Sequence, residues 1–133
     1  MACILGIDYG EKKIGLAESE GMLAAPLGVI KIDDQESALG TIKKICQEKN
    51  IQEIVIGLPL NERDTTGMRR IKEFGEKLGC KIGLPIFFQD ETMSSDEARQ
   101  KMIEAGKKMK ARRTDDAFAA AIILQEYLDK TQT

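Results

Sequence analysis

The sequence predicts an α/β fold: a mixed five-stranded sheet, three strands antiparallel and two parallel, with helices on both faces. Three observations carry this expectation. Residues 3–32 hold three apolar runs separated by turn residues. Beyond them, β-branched runs alternate with stretches in which apolar residues recur at helical spacing. The 133 residues suit one compact domain, expected to span 1–133, and long enough to fold without a disulfide or structural metal.

The elements follow in order. Residues 3–8, CILGID, form an apolar run ending in an acid and read as a buried strand. Residues 9–13 are a turn, and 14–19, IGLAES, read as a hairpin partner of the first strand. The segment APLGVIKI around Pro26 reads as a third strand. From Glu36 to Lys49, the residues Leu39, Ile42, Ile45 and Cys46 trace one face of a helix ending near Asn50. Residues 53–58, EIVIGL, are a fourth strand stopped by Pro59. Met68 to Leu78 places Ile71, Phe74, Gly75 and Leu78 on one helical face, with Gly79 as the expected close. Residues 84–89 form a fifth strand leading into Asp90 and Glu91, with Phe87 and Phe88 expected in the core. A capping box from Ser94 to Glu97 opens a helix ending at Gly106. The basic segment 107–113 then leads to Thr114, a suitable N-cap for a last helix to about Leu128, with a frayed tail. Three strands in succession followed by βα units give a meander continued in parallel, the layout of a ribonuclease H-like three-layer domain.

Composition narrows the chemistry. Histidine is absent, which excludes Ser-His-Asp and Cys-His catalysis and any His-bound zinc. The three cysteines, Cys3, Cys46 and Cys80, have no metal-ligand spacing, and the N-terminus lacks the pattern of a signal peptide. Reduced thiols and a cytoplasmic location are expected, and no apolar run is long enough for a membrane span. Acid-base or metal work must come from carboxylates, which favour hard ions such as Mg²⁺ or Mn²⁺.

In an open α/β sheet the chemistry gathers at the carboxyl ends of the strands. Asp8 ends the first strand, Asn61 follows the fourth and Glu91 follows the fifth. On a helical wheel Asp116 falls with Ala119, Ala120, Ile123 and Tyr127, whereas Asp115 falls with Gln125, Glu126 and Asp129. Asp116 is therefore expected to point toward the sheet, and Asp115 and its arc toward water. The small alanines would let the helix come close to the sheet and bring Asp116 toward Asp8. Helix-dipole stabilisation alone accounts for Asp115; an acid on the buried face needs a partner, and a divalent ion shared with Asp8 and Glu91 would supply one.

Four motifs then carry a resemblance. Gly6-Ile7-Asp8-Tyr9-Gly10 with Ile14-Gly15-Leu16-Ala17, Val55 to Asn61, Asp90-Glu91-Thr92-Met93-Ser94-Ser95, and Asp116 with Ala119-Ala120 and the run to Gln125 together resemble the YqgF family. That family is described both as pre-16S rRNA nucleases and as Holliday junction resolvases. The resemblance implies a ribonuclease H-like fold and a metal-dependent endonuclease that matures the 5′ end of small-subunit ribosomal RNA. It implies catalytic, metal-holding roles for Asp8, Glu91 and Asp116. Thr92-Met93 stands where the family usually has Arg-Leu, and Ala117 where it usually has Ser.

The expected chemistry is hydrolysis with two ions about 4 Å apart, Asp8 bridging them and Glu91 and Asp116 each holding one. Gly10 and Gly15 would let the backbone turn beside the scissile phosphate; hairpin geometry explains them equally well. Lys12, Lys13, Asn61, Lys107, Lys108, Lys110, Arg112 and Arg113 are expected to contact nucleic acid, mostly through phosphates. The expected partners are precursor rRNA or structured DNA, and ribosomal particles, with no membrane. Two other readings use the same residues: a Holliday junction resolvase, which must present two sites across a dimer, and a non-catalytic RNA-binding module of ribosome assembly.

Overall fold

The computed structural model describes residues 3–10, 12–58, 65–90 and 115–131. The elements are β1 (Cys3–Tyr9), β2 (Lys13–Ser19), β3 (Ala24–Lys31), α1 (Gln35–Glu48), β4 (Ile51–Leu58), α2 (Thr65–Ile82), β5 (Ile86–Asp90) and a terminal helix, α3 (Asp115–Thr131). The sheet order is β3-β2-β1-β4-β5. The pairs β1–β2 and β2–β3 are antiparallel, whereas β1–β4 and β4–β5 are parallel. The mixed sheet is thus the one expected from the order of strands and helices. The expected helix over 94–106 lies outside the described residues.

Period-two alternation sorts the side chains of the central strands between two cores. Leu5 and Ile7 of β1, Ile14 and Leu16 of β2, and Ile54, Ile56 and Leu58 of β4 pack under α1 and α2. Those helices contribute Leu39, Ile42, Cys46, Ile71, Phe74 and Leu78. On the opposite face Ile4, Ala17, Ala24 and Val55 meet Ala120, Ala121, Ile123, Leu124 and Leu128 of α3. The α1/α2 core is built mostly of large side chains, whereas the α3 core mixes four alanines with branched residues, and α3 comes close to the strands at Gly6 and Gly15.

Helix ends follow local chemistry. Asp34 is the N-cap of α1, its carboxylate accepting from the Ser37 N–H at 2.9 Å. Asn50, at φ 54, turns the chain out of α1 in the left-handed conformation that Asn tolerates. Helix α2 runs past Gly79, the expected close, to Ile82. Gly83 is the residue with positive φ (77), and its N–H donates to the Gly79 carbonyl at 2.8 Å. The reason is packing: Gly79 lies against Ile86 of β5, and Ile82 packs onto the core. At the other end of the chain α3 continues to Thr131, so Asp129 and Lys130 are helical, not frayed. Phe87 and Phe88 are also not core residues. They lie on edge strand β5 and are 40% and 39% exposed, Phe87 stacking on Tyr127 at 5.9 Å and Phe88 resting on Gly75.

Candidate nuclease site

The site begins with the alternation in β1. Leu5, Ile7 and Tyr9 pack with the α1/α2 core, the Tyr9 ring 4.3 Å from that of Phe74. Ile4 belongs to the opposite core, and a Cβ at Gly6 would meet the Ala120 carbonyl and Leu124. Asp8, two residues on, therefore shares the α3 side of the sheet. Two strand residues advance about 6.8 Å, and the four helical residues from Ala120 back to Asp116 about 6 Å. Strand and helix thus carry the two acids toward the same rim.

A second contact fixes them there. Asp8 pairs with Gly15 across the β1–β2 ladder. A Cβ at Gly15 would collide with the Asp116 carbonyl, so the main chain at the start of α3 rests directly on the main chain of β2. Both aspartates are half-buried. Their juxtaposition is a backbone property of two segments separated by most of the chain.

Gly10 serves the turn itself: its N–H donates to the Lys13 carbonyl at 2.9 Å. Lys12 and Lys13 are exposed, and the Lys12 carbonyl accepts from Ile32. Glu91, Asn61, Lys107, Lys108, Lys110, Arg112 and Arg113 lie outside the described residues. Strand β5 leads to Glu91, ending one residue before it with Asp90 paired to Leu58 of β4. Among the described residues no three acidic or thiol groups gather as a metal site; the third expected acid is not one of them.

The helical wheel needs one correction. The buried face of α3 centres on Ala117, Ala121, Leu124 and Leu128, and Asp116, Ala119 and Tyr127 lie at its margin. Gln125, expected in water, is 1% exposed. Its Oε1 accepts from the Ala24 N–H at 3.0 Å, and its Nε2 donates to the Met22 carbonyl and to Asp129. The hairpin backbone satisfies the amide, which removes the usual penalty for burying it. The buried position of Ala117 shows that the first turn of α3 packs against the sheet with no hydroxyl there.

Sequence reasoning missed Gln89, which is 6% exposed. Ile7 pairs with Ile56 and Gly57 with Gln89, so Gln89 lies two strands from Asp8 at nearly the same level. Strand alternation counted from Phe87, which meets Tyr127, puts Gln89 on the α3 side.

A family model described as "RuvX: Holliday junction resolvase" matches residues 2–130. The chain belongs to the RuvX family. The YqgF resemblance carried by the four motifs is borne out by its relatives. One from Oenococcus oeni is 38% identical over 135 residues, covering 96% of this chain and 94% of its own. Another, from Dehalococcoides mccartyi, is 40% identical over 126 residues, covering 92% and 94%. Both are named as candidate pre-16S rRNA nucleases. Among solved structures, RuvC of Thermus thermophilus in complex with a Holliday junction superposes with a TM-score of 0.68 at 14% identity. The match covers 99% of this chain and 96% of that one. The fowlpox virus Holliday junction resolvase gives 0.57 at 11%, covering 96% and 99%. At those identities the likeness establishes the ribonuclease H-like fold. Membership of a nuclease and resolvase family makes this RuvX-family chain a phosphodiester hydrolase by class.

Proposed function

We propose that the chain is a divalent-metal-dependent endonuclease that processes the 5′ end of pre-16S rRNA in the cytoplasm. The observation that carries this reading is the seating of Asp116 on Gly15, the ladder partner of Asp8. A position that cannot accept even a Cβ keeps the main chain of Asp116 beside the ladder partner of Asp8. Such a cradle fits Mg²⁺ or Mn²⁺, because the donors are hard oxygens and no histidine or thiol competes for the site. Asp8 and Asp116 would hold the ions, with Glu91 as third ligand. What such ions supply when bound is Lewis acidity and a water of lowered pKa at the scissile phosphate.

The remaining work falls to this chain. The two aspartates are brought together by main-chain contact at Gly15 rather than by long side chains. Lys12 and Lys13, beside them at the β1–β2 turn, offset the negative charge that an incoming phosphate would meet. The relatives named as pre-16S rRNA nucleases support precursor rRNA as substrate.

The decisive experiment is cleavage of a precursor rRNA fragment and of a four-way DNA junction with Mg²⁺, with Mn²⁺ and with chelator. Cleavage of the RNA is expected only with metal. Asp8→Asn and Asp116→Asn should each lower it at least ~100-fold, the scale of a lost transition-state electrostatic contact, while circular dichroism stays unchanged. Full activity in chelator, or in either variant, overturns the proposal. The family description favours a second reading, a junction resolvase. It requires paired incisions by a dimer, so junction cleavage by a species that sedimentation shows to be a dimer would select it. Normal rRNA maturation in cells carrying Asp116→Asn would leave only a non-catalytic assembly role.

A further inference from the structure

We propose that Lys31, acting with Lys13, holds a substrate backbone phosphate flanking the bond that is cut; this rests on the nuclease reading above. Lys13 and Lys31 are register partners across β2 and β3. Like charges placed directly opposite on adjacent antiparallel strands destabilise a sheet. Both residues are exposed, and neither makes an ion pair among the described residues. Three lysines elsewhere do have partners. Lys49 is paired with Glu18 at 3.0 Å, Lys81 with Glu36 at 3.3 Å, and Lys77 donates to Gln35 at 3.0 Å.

The position of the pair says what it is for. In β2, Ile14 and Leu16 turn to the α1/α2 core, while Gly15 and Ala17 turn to α3. Alternation puts Lys13 on the α3 side, and its partner Lys31 with it. The lysine row thus occupies the same sheet face as Asp8 and Asp116. From Ala17 to Gly15 to Lys13 the strand runs past the first turn of α3, so the row lies beyond the helix N-terminus. Two strand residues, about 7 Å, separate it from the Gly15–Asp116 contact, the scale of one nucleotide step. A pair of cations with no ion-pair partner among the described residues, at that spacing from the two acids proposed to hold metal, matches an adjacent phosphate, a contact that positions the chain without reading its sequence. Lys31 is not adjacent to any motif, and only the strand pairing brings it to the site.

The test measures binding of the precursor rRNA fragment and of the four-way junction, in chelator to prevent cleavage, over a range of salt. Lys31→Gln should weaken both complexes about 3- to 10-fold and reduce the slope of log affinity against log salt by about 0.7–0.9, one phosphate contact. Lys31→Arg should restore affinity and slope. Lys44→Gln, on the exposed side of α1, should match the wild type in both. The melting temperature of Lys31→Gln should equal or exceed that of the wild type, since a repulsion is removed. A wild-type slope in Lys31→Gln, or a lowered melting temperature with no change in slope, overturns the inference while leaving the nuclease reading intact. Failure of the wild type to bind either probe overturns both.

Discussion

Gly15 shows how much one missing methyl can set. A Cβ there would have to occupy the space of the Asp116 carbonyl, and main chain cannot yield as a flexible side chain would. Gly15→Ala should therefore cost about 1–3 kcal/mol in urea denaturation, the usual range for overpacking a tight site. It should also lower cleavage more than an equally destabilising change in the α1/α2 core, for which Leu39→Ala is a suitable comparison. Equal activity losses at matched stability would mean that the contact does not set the catalytic geometry. Cys46 offers a second residue-scale test. Burial pushes its thiol up to about 11. From about pH 9 upward the unfolded chain releases this proton while the folded chain retains it, so stability falls as pH rises. Melts between pH 8 and 10.5 should show a steeper decline for the wild type than for Cys46→Ala; parallel declines would refute the assignment. The exposed Cys80 should react first with alkylating reagents. Residue-scale features were the least legible in sequence. The approach of Asp8 and Asp116 to one rim was legible from strand end and helical phase. Lys31, Gln89 and the burial of Gln125 depend on partners that only the assembled sheet supplies.

At the scale of elements the reading went further, because strands and amphipathic helices have periods that show in the sequence. All five strands and the three described helices appear where the periodicity placed them. The errors were at ends, where tertiary contacts override local signals. Gly79 has the look of a helix stop, yet α2 continues because β5 packs against that glycine and Ile82 still has a core to enter. The two phenylalanines were expected inside because a run of apolar residues reads as a buried strand; β5 instead lies at the sheet edge. Helix-end chemistry is testable directly. Asp34→Ala removes the acceptor for the Ser37 N–H and should cost about 1 kcal/mol. Gly83→Ala, at φ 77, should cost roughly 1 kcal/mol for the left-handed conformation. Thermal melts would check both, and an unchanged midpoint in either would contradict the capping described.

For the whole molecule, the expected metal dependence links folding to function. A ligand that binds the folded state and not the unfolded one raises stability by about 2.7 kcal/mol at a hundredfold excess over its dissociation constant. Saturating Mn²⁺ should therefore raise the melting temperature of the wild type by several degrees and leave Asp8→Asn nearly unmoved. An identical rise in both would place the ion elsewhere.

The two faces of the sheet are held in unlike ways. Toward α1 and α2, bulky side chains interlock, and one can shrink while its neighbour grows. Toward α3, the helix is seated on bare main chain at Gly6 and Gly15. Accommodation by neighbours is not open to atoms that every residue shares. Engineering of this protein therefore has its freedom on one side only: the α1/α2 layer can be redesigned for heat resistance, whereas α3 has to be transplanted together with its strands or left alone.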